Sequence, residues 1–170
     1  MSHDLKALRE APGWPDEVAF ERGPLAVIEC TEEIPCNPCE TACRFGAIRI
    51  GARITDRPRL LATECRGCGR CIPACPGLAI FVVDKTFSDA EACIRMPYEF
   101  LPIPRVGDPI DGLSRQGAWV CAARVVRVED HARNDDCRVV WVAVPKAYAD
   151  VVRGVGLDAE TRRRGDAETR

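Results

Sequence analysis

Apolar positions along the chain fall into short runs set between polar, proline-bearing and cysteine-bearing stretches, and none approaches the roughly 18 to 20 residues of a membrane-spanning helix. Between residues 25 and 84 the runs are strand-sized: 25–28, 47–50, 60–62 and 78–83 read as strands, paired around two cysteine-bearing loops that each leave room for one helical turn. Further on, 118–128 and 137–144 are rich in β-branched residues and are separated by the polar stretch 129–136, a pattern that predicts a long hairpin. Pro145 suits a first helical position and opens a short helix over 146–153.

The remaining segments lack a sustained period. Residues 1–24, with Pro12, Gly13 and Pro15, form an irregular N-terminal segment, in which Trp14 and Phe20 are the expected anchors. Residues 85–102, with Pro97 and Pro102, read as a connector, and residues 158–170 repeat Asp-Ala-Glu-Thr-Arg with almost nothing to bury, so disorder is expected there. The resulting class is α+β: a pseudo-twofold domain over 25–84, followed by a small β module over 103–157.

Composition changes this picture at one point. Aromatic residues are only 6% of the chain, whereas eleven of its 170 residues are cysteine and eight of those lie between Cys30 and Cys75. A formal charge of −2 argues against an electrostatic nucleic-acid binder, and Arg162 to Arg164 are largely neutralised by Asp158, Glu160, Asp166 and Glu168. The N-terminus carries no apolar core followed by a cleavage site, and an odd number of closely spaced cysteines does not suit a secreted disulfide framework. A cytoplasmic protein with reduced, metal-binding thiols is therefore expected.

Cys36, Cys39 and Cys43 recur 32 positions later as Cys68, Cys71 and Cys75, and Ala47 with Ile48 recurs as Ala79 with Ile80. The run Cys65-x2-Cys68-x2-Cys71-x3-Cys75-Pro76 has the spacing of bacterial iron–sulfur proteins, in which the fourth cysteine serves the other cluster. Three thiolates on consecutive tight turns can cap three corners of one cubane, while a fourth on the following helical turn points away. Gly67 and Gly69 permit such a loop and let it aim amides at sulfur.

The pattern assigns Cys43, Cys65, Cys68 and Cys71 to one [4Fe–4S] cluster. A second receives Cys36, Cys39 and Cys75, with one ligand outstanding. The repeat places that ligand at position 33, which is Glu33; Cys30 is close enough for the loop 31–35 to bring it in, and thiolate is the softer donor. Three outcomes stay open: Cys30 as the fourth ligand, Glu33 through oxygen, or an open corner. Structural zinc would use two separated Cys-x2-Cys pairs rather than three thiols in succession. Cys93, Cys121 and Cys137 lie outside the repeat and read as small buried apolar residues.

Residues 25–84 resemble the two-cluster bacterial ferredoxin family, with Pro76 after the fourth cysteine but Arg44 at the equivalent place in the first half. A positive side chain there would favour the more negative reduced cluster. The stretch 28–40, with 97–102 and 144–150 downstream, is similar to ferredoxin-like small subunits found with FAD-dependent amino-acid or amine dehydrogenases of the proline, hydroxyproline and opine type. That resemblance implies Cys30 as the displaced ligand and a hetero-oligomer with flavin-bearing subunits.

The expected function is that of a non-catalytic electron-transfer subunit, relaying single electrons from a partner's reduced flavin to a downstream acceptor. No Gly-x-Gly-x-x-Gly fingerprint follows a strand, so a flavin belongs to the partner, and His3 and His131 both sit in polar surroundings. Trp119, Trp141, Tyr98 and Phe100 could serve as interface or as core. A free soluble ferredoxin, or a structural or sensing iron–sulfur protein, are the alternatives.

Overall fold

A computed structural model describes residues 4–134 and 137–157. In chain order the elements are α1 (Leu5–Arg9), β1 (Leu25–Ile28), α2 (Pro38–Ala42), β2 (Ile48–Arg49), β3 (Arg59–Leu60), α3 (Cys71–Ala74), β4 (Ile80–Asp84), β5 (Glu91–Tyr98), β6 (Pro109–Leu113), β7 (Trp119–Glu129), β8 (Arg138–Pro145) and β9 (Gly154–Leu157). Seven strands form one antiparallel sheet in the order β1-β4-β5-β8-β7-β6-β9, and β2 pairs with β3 in a separate ribbon. The chain is thus α+β, with sheet predominating and helices of a single turn or little more.

Alternation along β1 and β4 explains why both read as unbroken apolar runs. Leu25, Val27, Phe81 and Val83 enter a core with Leu8, Trp14 and Phe20 of the N-terminal segment, while Ala26, Ile28, Ile80 and Val82 enter a second core with α2, α3 and β2. A strand covered on both faces has no polar side to show. Each fully buried Val or Ile contributes about 1.5–3 kcal/mol relative to exposure. Trp14 and Phe20 do anchor the N-terminal segment, which also contains α1, N-capped by the Asp4 carboxylate accepting from Lys6 N at 3.1 Å.

The expected hairpin is present as β7 paired with β8, with a register shift between Val125 and Arg127 that leaves Val126 without a partner. Two expectations are corrected. The span 85–102 is not a connector but holds β5, which pairs with β4 on one side and β8 on the other, so the cysteine-rich part and the β module share one sheet. Ala92, Ile94, Met96 and Tyr98 alternate into the core, a period interrupted in the sequence by Arg95 and Pro97. The helix expected over 146–153 is a single 3-10 turn, Lys146–Tyr148, after which the chain turns inward to bury Val152 and Arg153. The tail 158–170, expected to be disordered, lies outside the described residues.

A buried ionic cluster ties the segments around Arg115 and Arg153 to the end of β1. Glu29, directly after β1, accepts from Arg115 and from Arg153 Nε at 2.6 Å, with Trp14 beside both guanidinium groups. Arg153 also donates to the Ala149 and Val152 carbonyls. Asp150 pairs with Arg9 and Lys85; although burial opposes ionisation, those partners hold its carboxyl below the usual carboxylate range.

Candidate functional site

The two short helices α2 and α3 pack together on the face of the sheet formed by Ala26, Ile28, Ile80 and Val82. Each carries cysteines toward two separate places. Cys39 lies within α2 and Cys43 follows at its end, while Cys71 begins α3 and Cys75 ends it. Both helices stop at a cysteine that has left the helical region, Cys43 with ψ 88° and Cys75 with ψ 109°.

Cys43, Cys65, Cys68 and Cys71 line one cavity, floored by Ala26, Ile48 and Val82, with about 340 Å³ free of protein atoms counted to its solvent mouth. Cys30, Cys36, Cys39 and Cys75 line the other, floored by Ile28, Ile50 and Ile80, with about 390 Å³. Ala26 pairs with Val82 and Ile28 with Ile80, so the floors are successive same-face pairs of one ladder, offset by about 7 Å along the strands. Ile48 and Ile50 repeat that offset on the opposite wall.

Each cavity receives ligand candidates from both halves of the repeat. Cys43 comes from the first half into a set otherwise drawn from the second, and Cys75 makes the reverse crossing. Cys30 lines the second cavity, whereas Glu33 is absent from its lining; the Glu33 side chain is 59% exposed and faces Arg57 at 3.5 Å. Cys93, Cys121 and Cys137 are buried elsewhere and line neither cavity. His131 is exposed, and His3 lies outside the described residues.

Electrostatics divide the thiols in the same way. Burial pushes Cys39 up to about 11, and the neighbours that raise it further are Cys75, Cys36 and Cys30. Burial raises Cys71 well above the ordinary thiol value, and Cys65, Cys68 and Cys43 add to that. Buried thiols such as Cys39 and Cys71 resist ionisation unless positive charge arrives with them, which is the condition a metal centre meets.

Among the described residues, no three His, Cys, Asp or Glu side chains converge as a single metal ion requires. One ion needs its donors around a point, at about 2.0 to 2.3 Å. A four-iron cluster presents separate corners, so its ligands surround a volume. Four cysteines spread around each cavity, joined in the second by Glu32 and Asp56 in its walls, suit the latter. Backbone amides add to this fit: Ala26 N lies 3.5 Å from Cys65 Sγ and Ala79 N lies 3.5 Å from Cys75 Sγ, each aimed to donate.

The loop 65–71 depends on glycine at two places, one of them Gly69 at φ +78°. Gly67 has φ +56°, and a Cβ there would stand 2.3 Å from the Pro24 carbonyl oxygen. The same residue's carbonyl accepts from Arg95 Nη1, reaching over from β5, and the Arg95 guanidinium lies 3.8 Å from the Trp141 ring centroid. Sequence reasoning gave Arg95 no role, because nothing in its neighbourhood signals that β5 passes beneath the loop. Trp141 belongs to the wall behind the cavities, whereas Trp119 and Phe100 are exposed. Compared with family models, curated proteins and solved structures, the chain shows no match, so what it does has to be argued from these two cavities.

Proposed function

We propose that the chain is an electron-transfer subunit holding two [4Fe–4S] clusters, one bound by Cys43, Cys65, Cys68 and Cys71 and the other by Cys30, Cys36, Cys39 and Cys75. The observation that carries this reading is the partition of eight thiols into two cavities of four, with one cysteine of each half crossing to the other set. A [4Fe–4S] cluster bound by thiolates accepts and returns one electron at a time. The residues of the chain supply the rest: short helices fix the thiols, Ala26 and Ala79 donate amide hydrogens to sulfur, and the isoleucine and valine floors keep water from the inner walls.

The topology around the cavities, strand–helix–strand twice over with β1 against β4 and β2 against β3, supports the resemblance to two-cluster ferredoxins. In this reading the electrons come from a flavin in a partner dehydrogenase acting on an amino acid or amine, and leave to a downstream acceptor. The exposed Phe100, Leu101 and Trp119 give the β-rich end apolar surface for a standing partner. Anaerobic purification tests the proposal. About eight irons and eight sulfides per chain are expected, with a flavoprotein copurifying; a folded, iron-free chain rejects the clusters, and a chain loaded with clusters but running alone rejects the subunit role.

A further inference from the structure

The two cavities differ in the charge around them. The one lined by Cys30, Cys36, Cys39 and Cys75 has Glu32 and Asp56 in its walls, and arginines close to it in sequence are neutralised: Arg53 binds Asp56 at 2.9 Å and Arg57 faces Glu33 at 3.5 Å. The one lined by Cys43, Cys65, Cys68 and Cys71 has Arg66 and Arg70 in its walls and no carboxylate. Arg66 and Arg70 are exposed, and neither forms an ion pair or side-chain hydrogen bond among the described residues. Arg44, also exposed, lies over the Phe45 ring at 4.9 Å, a contact that leaves its charge unneutralised.

Cys68 is the one exposed residue among the eight cavity cysteines. It helps line an open groove together with Arg44, Arg70 and Glu129, the last already facing Arg127 at 3.6 Å. An exposed ligand candidate that shares its groove with Arg44 and Arg70 and its cavity with Arg66 and Arg70, on a chain whose formal charge is −2, sits in a local positive field.

We infer that the Cys68 face is the surface through which the chain exchanges electrons with an acidic redox protein, docked by carboxylates against Arg44, Arg66 and Arg70. This rests on the electron-transfer reading above. Charges at a rim govern encounter rate and orientation more than lifetime, which suits a partner that comes and goes. Arginine also matches carboxylates with a planar, two-pronged fork, so the same three residues would set the partner's orientation over Cys68.

Two measurements on the full chain, purified anaerobically, test this. In the first, binding of a fluorescein-labelled hexaglutamate peptide is followed by anisotropy. In the second, dithionite-reduced and desalted protein is oxidised by an anionic tris(oxalato)cobalt(III) complex or by cationic hexaamminecobalt(III), each oxidant taking one electron as Co(III) becomes Co(II). The expected result is peptide binding that weakens with salt, and an anion rate that falls on the order of tenfold or more on moving from low to high ionic strength. The triple variant R44E/R66E/R70E loses both effects at unchanged iron content, while R53E/R57E retains them. Equal behaviour of the triple variant and R53E/R57E, or an anion rate indifferent to the triple variant, overturns the docking face alone. A parent protein without iron and sulfide overturns the electron-transfer reading, and this inference with it.

Discussion

Replacing Cys30 tests the least regular part of the proposed ligand set. Cys30 stands where the internal repeat has no cysteine, yet it shares a cavity with Cys36, Cys39 and Cys75, while Glu33, which occupies the repeat's ligand position, points to Arg57 and solvent. In C30S one corner of the proposed cluster at Cys36, Cys39 and Cys75 loses its soft donor, and the four cysteines of the other cavity are untouched. The iron content should therefore fall from about eight toward about four per chain, with sulfide falling in parallel. E33Q removes only an exposed pair, worth at most about 1 kcal/mol, and should keep all the iron. Iron and sulfide analysis, together with electron paramagnetic resonance of the reduced proteins, reads both variants. The reasoning is refuted if E33Q loses half the iron while C30S keeps it all.

G67A should fail at the other site: a left-handed backbone costs a side-chain-bearing residue about 1–2 kcal/mol, and the new Cβ meets the Pro24 carbonyl, so iron held by Cys43, Cys65, Cys68 and Cys71 is lost; full loading at an unchanged thermal midpoint would contradict this. E29A leaves Arg115 and Arg153 facing each other without their shared carboxylate and should destabilise by about 3–5 kcal/mol in thermal unfolding, whereas a change below about 1 kcal/mol would show the cluster to be slack. Asp150 has a depressed folded value, so its contribution is present above about pH 4 and is lost as pH falls through that folded value. The thermal-midpoint deficit of D150N against the parent should thus shrink between pH 7 and pH 3, and a constant deficit speaks against the ion pairs with Arg9 and Lys85. C93A should leave the iron content unchanged, since Cys93 lines neither cavity; any loss of iron would place it nearer the site than its burial in β5 implies.

The apolar pattern marked six strands that the structure contains, β1, β2, β3, β4, β7 and β8, with β2 and β3 reduced to two residues each. Strand β5 was hidden because its polar-face residues carry other duties. Arg95 reaches the Gly67 carbonyl, and Pro97 lies beyond Arg95, where the pairing with β4 stops, so its missing amide falls at the end of that ladder. Strands β6 and β9 are short and glycine-bearing; Gly112 leaves space that Cys121 and Val152 already crowd, a requirement visible only once the strands are assembled. For the site, cysteine spacing grouped seven thiols as a four and a three, since tight turns and single helical turns have few geometries, and left the place of Cys30 open because it departs from the repeat. The difference in surrounding charge was not legible, because whether Arg53, Arg66 or Arg70 finds a carboxylate depends on loop packing and not on order along the chain.

The crossing of Cys43 and Cys75 has a consequence for how such a chain can come into being. A single half of the repeat, taken alone, would own three corners of one cube and a stray thiol belonging to a neighbour it does not have. On the proposed ligand sets, its route to two finished cubes is to meet a second copy of itself about a twofold axis, each giving one thiol to the other. Fusion of two such copies into one polypeptide turns a concentration-dependent encounter into a permanent one, and frees each half to drift apart in its surroundings: carboxylates on one side, guanidinium groups on the other.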